Sequence, residues 1–160
     1  MSQPLRVLLD TNVWLAAFDG ARPRSREANE LIDVCERARI DLLYAAVSAK
    51  DVFYLVGASL KRQARATSER LSESQARAVS TYAVACITNM TEVATAVGMD
   101  VSDIWLARKY QRIHTDFEDC LVLAAAQRAR VDYLVTSDES LLRHAPVAAL
   151  SVADFLALVG

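Results

Sequence analysis

Two spacings of apolar residues alternate along this chain: short, nearly continuous apolar runs and longer stretches at helical period. Leu5 to Leu9 is apolar except at Arg6 and stops at Asp10-Thr11-Asn12, a trio rich in turn and capping groups, which predicts a buried strand ending at Asp10. Ala28, Leu31, Ile32, Cys35 and Ala38 then recur at helical spacing, predicting a helix over Ser25 to Ile40. Ser25 is its expected N-cap, after a small loop holding Gly20 and Pro23. Leu42 to Val47 reads as a second strand. Ser48 offers the cap of a helix carrying Val52, Phe53, Leu55 and Val56, which places Asp51 in its first turn.

Lys61 to Glu73 is polar and basic, and Ser74 to Met90 carries Ala76, Val79, Tyr82, Ala83 and Cys86 on one helical face. Thr91 to Val97 alternates as a half-buried strand does. After Gly98 and Asp100 a new helical pattern through Ile104, Trp105, Ala107 and Tyr110 ends at His114-Thr115-Asp116. Asp116 is placed to cap the next helix, Phe117 to Ala129, which is apolar on nearly every side. Tyr133 to Val135 is a compact β-type run closed by Thr136-Ser137-Asp138, and Ala148 to Val152 is a last weak strand before a short C-terminal helix. Strands alternating with helices of this length are βαβ units. The expected fold is therefore α/β, a three-layer α/β/α sandwich with a central, mainly parallel sheet.

Composition narrows this only a little. With 160 residues, 53% of them hydrophobic, the chain suits a single domain, 1–160, with a core that needs no staples. The odd, widely spaced Cys35, Cys86 and Cys120 form neither a disulfide framework nor a zinc spacing. No apolar window reaches the length of a membrane span and Met1 to Arg6 does not open a signal peptide, so a cytoplasmic protein with no membrane partner is expected. The net charge of −2 supplies no global attraction for a polyanion, which leaves that task to bound cations and local basic stretches.

The chemistry lies in the aspartates. In open α/β sheets, sites form beyond the carboxyl ends of the strands. Asp10 and Asp138 follow two predicted strands, while Asp51 and Asp119 occupy first turns of helices that begin at the same rim. Carboxylates gathered without basic partners repel one another, and a cation normally fills such a cluster. Hard oxygen donors suit Mg2+ or Mn2+ and not zinc. Such ions activate water and neutralise charge on a phosphodiester, so no covalent nucleophile is needed and neither His114 nor His144 is assigned a role. The alternative reading is capping alone, for which aspartate is favoured at these positions.

Val7-Leu8-Leu9-Asp10-Thr11-Asn12-Val13 resembles the opening motif of PIN domains, the family that includes VapC-like toxin nucleases. Asp119-Cys120-Leu121-Val122-Leu123-Ala124 and Tyr133-Leu134-Val135-Thr136-Ser137-Asp138 resemble its third and fourth acidic motifs, and Asp116-Phe117-Glu118-Asp119 one bacterial subgroup. The resemblance implies metal-dependent cleavage of RNA, with Asp10, Asp119 and Asp138 holding the metal and Asp116 an additional acid at the rim. It implies that Asn12, Thr136 and Ser137 orient carboxylates or water. It also implies a cognate antitoxin protein and a homodimer as partners. Asp51 stands where the family usually has Glu, with a carboxylate one methylene shorter. That departure motivates a second reading, a catalytically weak or inactive PIN-like module that binds RNA or protein.

Arg22, Arg24 and Arg26 in one loop, and Lys61, Arg62, Arg65 and Arg70 in another stretch, are candidates for the RNA backbone, or else a solvated face diluted by Glu27 and Glu69. Trp14 and Phe18, one turn apart, read as core or as a stacking pair. A phosphatase using Asp10 as nucleophile is disfavoured, because Asn12 stands where such enzymes commonly carry a second Asp.

Overall fold

A computed structural model describes residues 3–68 and 70–160. Met1, Ser2 and Glu69, to which part of the leader expectation and of the charge dilution referred, lie outside the described residues. The elements run β1 (Arg6–Leu9), α1 (Thr11–Phe18), α2 (Ser25–Ala38), β2 (Asp41–Ala45), α3 (Ala46–Thr67), α4 (Glu73–Val93) and β3 (Thr95–Val97). They continue with α5 (Val101–Tyr110), α6 (Phe117–Arg128), β4 (Tyr133–Val135), α7 (Glu139–His144), β5 (Ala149–Leu150) and α8 (Val152–Val159).

All strand pairings are parallel, in the order β3-β2-β1-β4-β5. β1 is central and its residues alternate between two cores. Val7 and Leu9 join one with Trp14, Leu31, Val52, Met90 and Phe155, under α1 to α4 and α8. Leu8 joins the other with Leu43, Tyr110, Leu123, Leu134 and Leu141, under α5 to α7. The two helical layers thus follow from period-two alternation in a strand buried on both faces. α6 crosses the second layer with every residue from Cys120 to Ala126 buried, the reason its sequence lacks an amphipathic stripe. The α/β/α sandwich expected from the sequence is the fold.

Several local expectations are corrected. Thr11 to Phe18, for which the apolar spacing predicts no separate element, forms α1, and Asp10 caps it by accepting from the Thr11 amide at 2.7 Å. Ser25 is the first residue of α2 and not its cap; that position belongs to Arg24 in left-handed conformation, with no side-chain cap bond. α3 begins two residues before Ser48, which is buried and receives a hydrogen bond from the Thr11 hydroxyl at 2.8 Å. Asp51 accordingly lies beyond the first turn of α3. The first part of the expected strand, Thr91 to Val93, belongs to α4, which opens on a Ser72–Gln75 capping box, and its last part, Thr95–Val97, forms β3. Trp14 is fully buried and stacks on Phe18 at 6.0 Å between centroids, so these aromatics are core. The cysteines are free and buried, and no helix among the described residues is long and apolar enough to cross a membrane.

One buried charge fixes α5 on α6. Asp103, 1% exposed, accepts from Arg128 at 2.9 Å through each carboxylate oxygen, and Arg128 also donates to the Gly98 carbonyl. Arg128→Ala leaves that carboxylate with only its bond from the Asp100 amide. Stripping a buried charge of its partner costs about 3 kcal/mol, so the melting temperature should fall by roughly 6–12 °C. An unchanged melting curve would show the pair to be energetically idle.

Candidate metal centre

The parallel register determines what meets at the carboxyl edge. Leu9 pairs with Val135, and the ladder continues one step as the Asp10 amide donates to the Val135 carbonyl at 2.9 Å. Asp10 therefore lies beside Thr136, and both are fully buried. The Thr136 hydroxyl donates to Asp10 Oδ2 at 2.7 Å while its oxygen accepts from the Asp138 amide at 3.0 Å. One side chain thus couples the ends of β1 and β4. Asp138 turns into the N-cap of α7, accepting from the Leu141 amide at 2.9 Å through Oδ1. Its Oδ2 faces His114.

Thr136→Val keeps the shape and removes both bonds. A buried carboxylate oxygen and a backbone N–H then lose their partner, at about 1–3 kcal/mol, which is roughly 2–12 °C in melting temperature. Thr136→Ser should restore most of the loss; failure of the serine to do so would assign the effect to the methyl group.

His114 is the residue that sequence reasoning missed. It sits between two carboxylates, Nδ1 at 3.3 Å from Asp119 Oδ2 and Nε2 at 3.4 Å from Asp138 Oδ2. Its Nδ1 accepts from the Asp116 amide at 3.1 Å, which leaves Nε2 as the donor toward Asp138. The only signal for it in the sequence was its place in the break directly before Asp116-Phe117-Glu118-Asp119.

Burial makes this edge electrostatically costly. Asp10 is pushed above the ordinary carboxylate range by desolvation, against which the Thr136 and Thr11 hydrogen bonds work, with the Asp138 charge adding to the rise. Asp119 is pushed up to about 7 by burial first and by the Asp10 charge second, with Asp116 and Asp138 adding smaller repulsions. Asp116 caps α6 by accepting from the Glu118 amide at 2.8 Å, as the sequence suggested.

Asp51 is placed differently. Its carboxylate lies 3.3 Å from Lys50 Nζ, which also bonds Glu118 at 3.2 Å. Its acidity is reduced by burial and then by the Glu118 charge. The expectation that the acids stand without a basic partner fails here, because Lys50 reaches back along its own helix. Of the four aspartates, Asp10, Asp119 and Asp138 share one electrostatic neighbourhood, while the nearest charges to Asp51 are Lys50 and Glu118.

Beside the acids runs a groove of about 520 Å³ lined by Asn12, Arg22, Arg24, Ser137 and Ser151. Arg22 is held by Asp19 at 3.6 Å. Lys61 and Arg62 are exposed on the far half of α3, roughly 15 Å beyond Asp51 at the helical rise.

The donor set fits a hard divalent ion. One oxygen of Asp119, one of Asp138 and one nitrogen of His114 lie within 4.8 Å of one another, close to the span of two ligands at about 2.1 Å on opposite sides of one ion. Asp10 has committed one lone pair on each oxygen and retains others. The carboxylate oxygens suit Mg2+ or Mn2+, and the imidazole, with Nδ1 accepting from the Asp116 amide and Nε2 facing Asp138, stands beside them as a positioning group.

A PIN domain family model matches residues 6–140. Solved structures with similar folds include the Mycobacterium tuberculosis VapC20 toxin, described as cleaving the sarcin-ricin loop. It is 13% identical, with 80% of this chain and 86% of that one covered and a TM-score of 0.57. VapBC2 from Rickettsia felis, bound to a promoter DNA fragment, is 11% identical over 92% and 98% of the two chains, with a TM-score of 0.63. PAE2754 from Pyrobaculum aerophilum is 17% identical over 97% and 95%, with a TM-score of 0.59. No curated protein matches the sequence. The structural likenesses establish a common fold, and with the family match over most of the sequence this chain belongs to the PIN domain family.

Proposed function

We propose that this protein is a metal-dependent endoribonuclease in which Asp10, Asp119 and Asp138 hold Mg2+ or Mn2+, with His114 orienting the carboxylates beside the ion. The observation that carries this reading is the meeting of Asp119 and Asp138 on one imidazole at the carboxyl edge of the sheet, with the buried, acid-weakened Asp10 charge felt by Asp119. Capping accounts for one bond each at Asp10, Asp116 and Asp138. It does not account for Asp119, which caps nothing and lies 3.3 Å from His114.

A bound ion would activate water and neutralise charge on the phosphodiester. Thr136 holds Asp10 and the Asp138 backbone in place, and His114 Nε2–H steadies the Asp138 carboxylate. Asp116 adds negative charge at the rim. Asn12 and Ser137 open into the groove, where Arg22 and Arg24 supply positive charge for the phosphates on either side of the reacting one. Lys61 and Arg62 extend that charge along α3. RNA as substrate is supported by the fold shared with a toxin that cleaves the sarcin-ricin loop. An antitoxin as partner is supported by the VapBC2 and Klebsiella pneumoniae toxin-antitoxin assemblies of the same fold. A homodimer remains part of the proposal from family resemblance alone.

The test is incubation of the purified protein with labelled RNA in Mn2+ and in EDTA. Internal cleavage in Mn2+ only is expected, and RNA left intact in both would refute the nuclease. The Lys50–Asp51 pair favours a second reading, a weak or inactive RNA-binding module. Calorimetry separates the two, since that module should take up no Mn2+ through its carboxylates.

A further inference from the structure

Helix α5 carries an exposed face that none of the chemistry above uses. Trp105, Arg108 and Lys109 occupy positions i, i+3 and i+4 on one side of the helix, and Arg112 follows in the turn just past its end. Trp105 is 57% exposed, an unusual cost for the largest aromatic side chain. Lys109 Nζ lies 3.6 Å from its ring centroid, and the four residues line a shallow depression of about 240 Å³.

The charge on this face is uncompensated. The only acid between Val101 and Arg112 is Asp103, which is buried against Arg128. Among the described residues no carboxylate pairs with Arg108, Lys109 or Arg112, although the chain as a whole is acidic at −2. The face also leads to the acidic edge. Just past the end of α5, the His114 amide donates to the Tyr110 carbonyl at 3.0 Å, so the turn delivers His114 directly to Asp119 and Asp138. Trp105 stands roughly 7 Å along the helix, at the helical rise, from Tyr110, whose carbonyl His114 bonds.

We propose that this face of α5 is a docking track for single-stranded RNA, with a base stacked on Trp105 and flanking phosphates on Arg108, Lys109 and Arg112. Cations alone would serve any polyanion; the exposed indole among them selects one that carries flat apolar rings. A duplex keeps its bases stacked inside and offers none to the indole. The inference rests on the nuclease reading for its ligand class and extends it by a second contact region, distinct from the groove at Arg22 and Arg24.

Binding of a fluorescent oligouridylate is measured by anisotropy in EDTA, where no cleavage occurs, for wild type, Trp105→Ala and Arg108→Gln/Arg112→Gln. Trp105→Ala should weaken binding about fivefold or more. The double variant should lower the salt slope by roughly 1.4, the value for two single-strand phosphates. The chain has two tryptophans and Trp14 is fully buried, so protection from acrylamide quenching on RNA addition reports Trp105 alone. Equal affinity of Trp105→Ala and wild type, or equal protection by polyglutamate, overturns the track. Manganese-dependent cleavage by wild type is scored separately. Its presence with unaltered binding by the α5 variants removes only the track, and its absence with Trp105-dependent binding removes the nuclease and leaves the track.

Discussion

Asp10→Asn is expected to lower manganese-dependent RNA cleavage by about a thousandfold while leaving the protein folded. Asparagine has the same shape and can still accept from the Thr11 amide, so the capped start of α1 survives. The negative charge that a cation needs at the end of β1 does not. Losing one anionic ligand from a hard-ion site removes several kcal/mol of transition-state stabilisation, and each 1.4 kcal/mol is about tenfold in rate. Single-turnover cleavage of a labelled RNA measures the rate, calorimetry the manganese affinity, and circular dichroism the fold. Full activity in a folded Asp10→Asn protein would show that the carboxylates of this edge do no chemistry.

The second large effect is on stability against pH in the absence of metal. Asp119 is held at about 7 in the folded protein, against an ordinary value of 3.8. Between these values the folded chain keeps a proton that the unfolded chain has shed, so metal-free stability should fall as pH rises from about 4 to 7 and then level off. Asp10 is raised by its burial and pulls in the same direction. Asp19 and Asp100 are held low, by bonds from Ser59 and by the Ser102 amide respectively, and weaken the fold only in stronger acid. Asp119→Asn should flatten the decline toward pH 7 and raise the metal-free melting temperature at pH 8. Saturating Mn2+ should do the same for the wild type and little for the variant, because ion binding favours the deprotonated carboxylate. A wild-type melting temperature that rises steadily from pH 4 to 8 without metal would contradict the buried acidic cluster.

The sequence and the structure divide this protein along a physical line. Wherever one short segment carried its own signal, the sequence was enough. The double-sided burial of Val7 to Leu9, the near-uniform apolarity of α6 and the Asp116 cap all depend on neighbours within a turn or two. Strand and helix alternation then implied a parallel sheet, and with it an edge where Asp10 and Asp138 lie close together. Local signals failed where two cues competed. α1 was hidden because Asp10-Thr11-Asn12 reads as a turn, although the same groups cap a helix, and Ser25 and Ser48 looked like caps while the backbone started the helices elsewhere.

What no linear pattern holds is which side chains face one another across the edge. Asp10 meets Thr136 because β1 and β4 pair in a register set by packing on both faces of the sheet. Lys50 claims Asp51 and Glu118 because α3 and α6 pack side by side, and His114 enters the cluster because the turn after α5 closes against the start of α6. Composition and periodicity determined the layers of this protein, since burial is averaged over many residues. The partners of its charged groups were decided by tertiary structure alone, since an electrostatic contact depends on a few ångströms that only the folded chain defines.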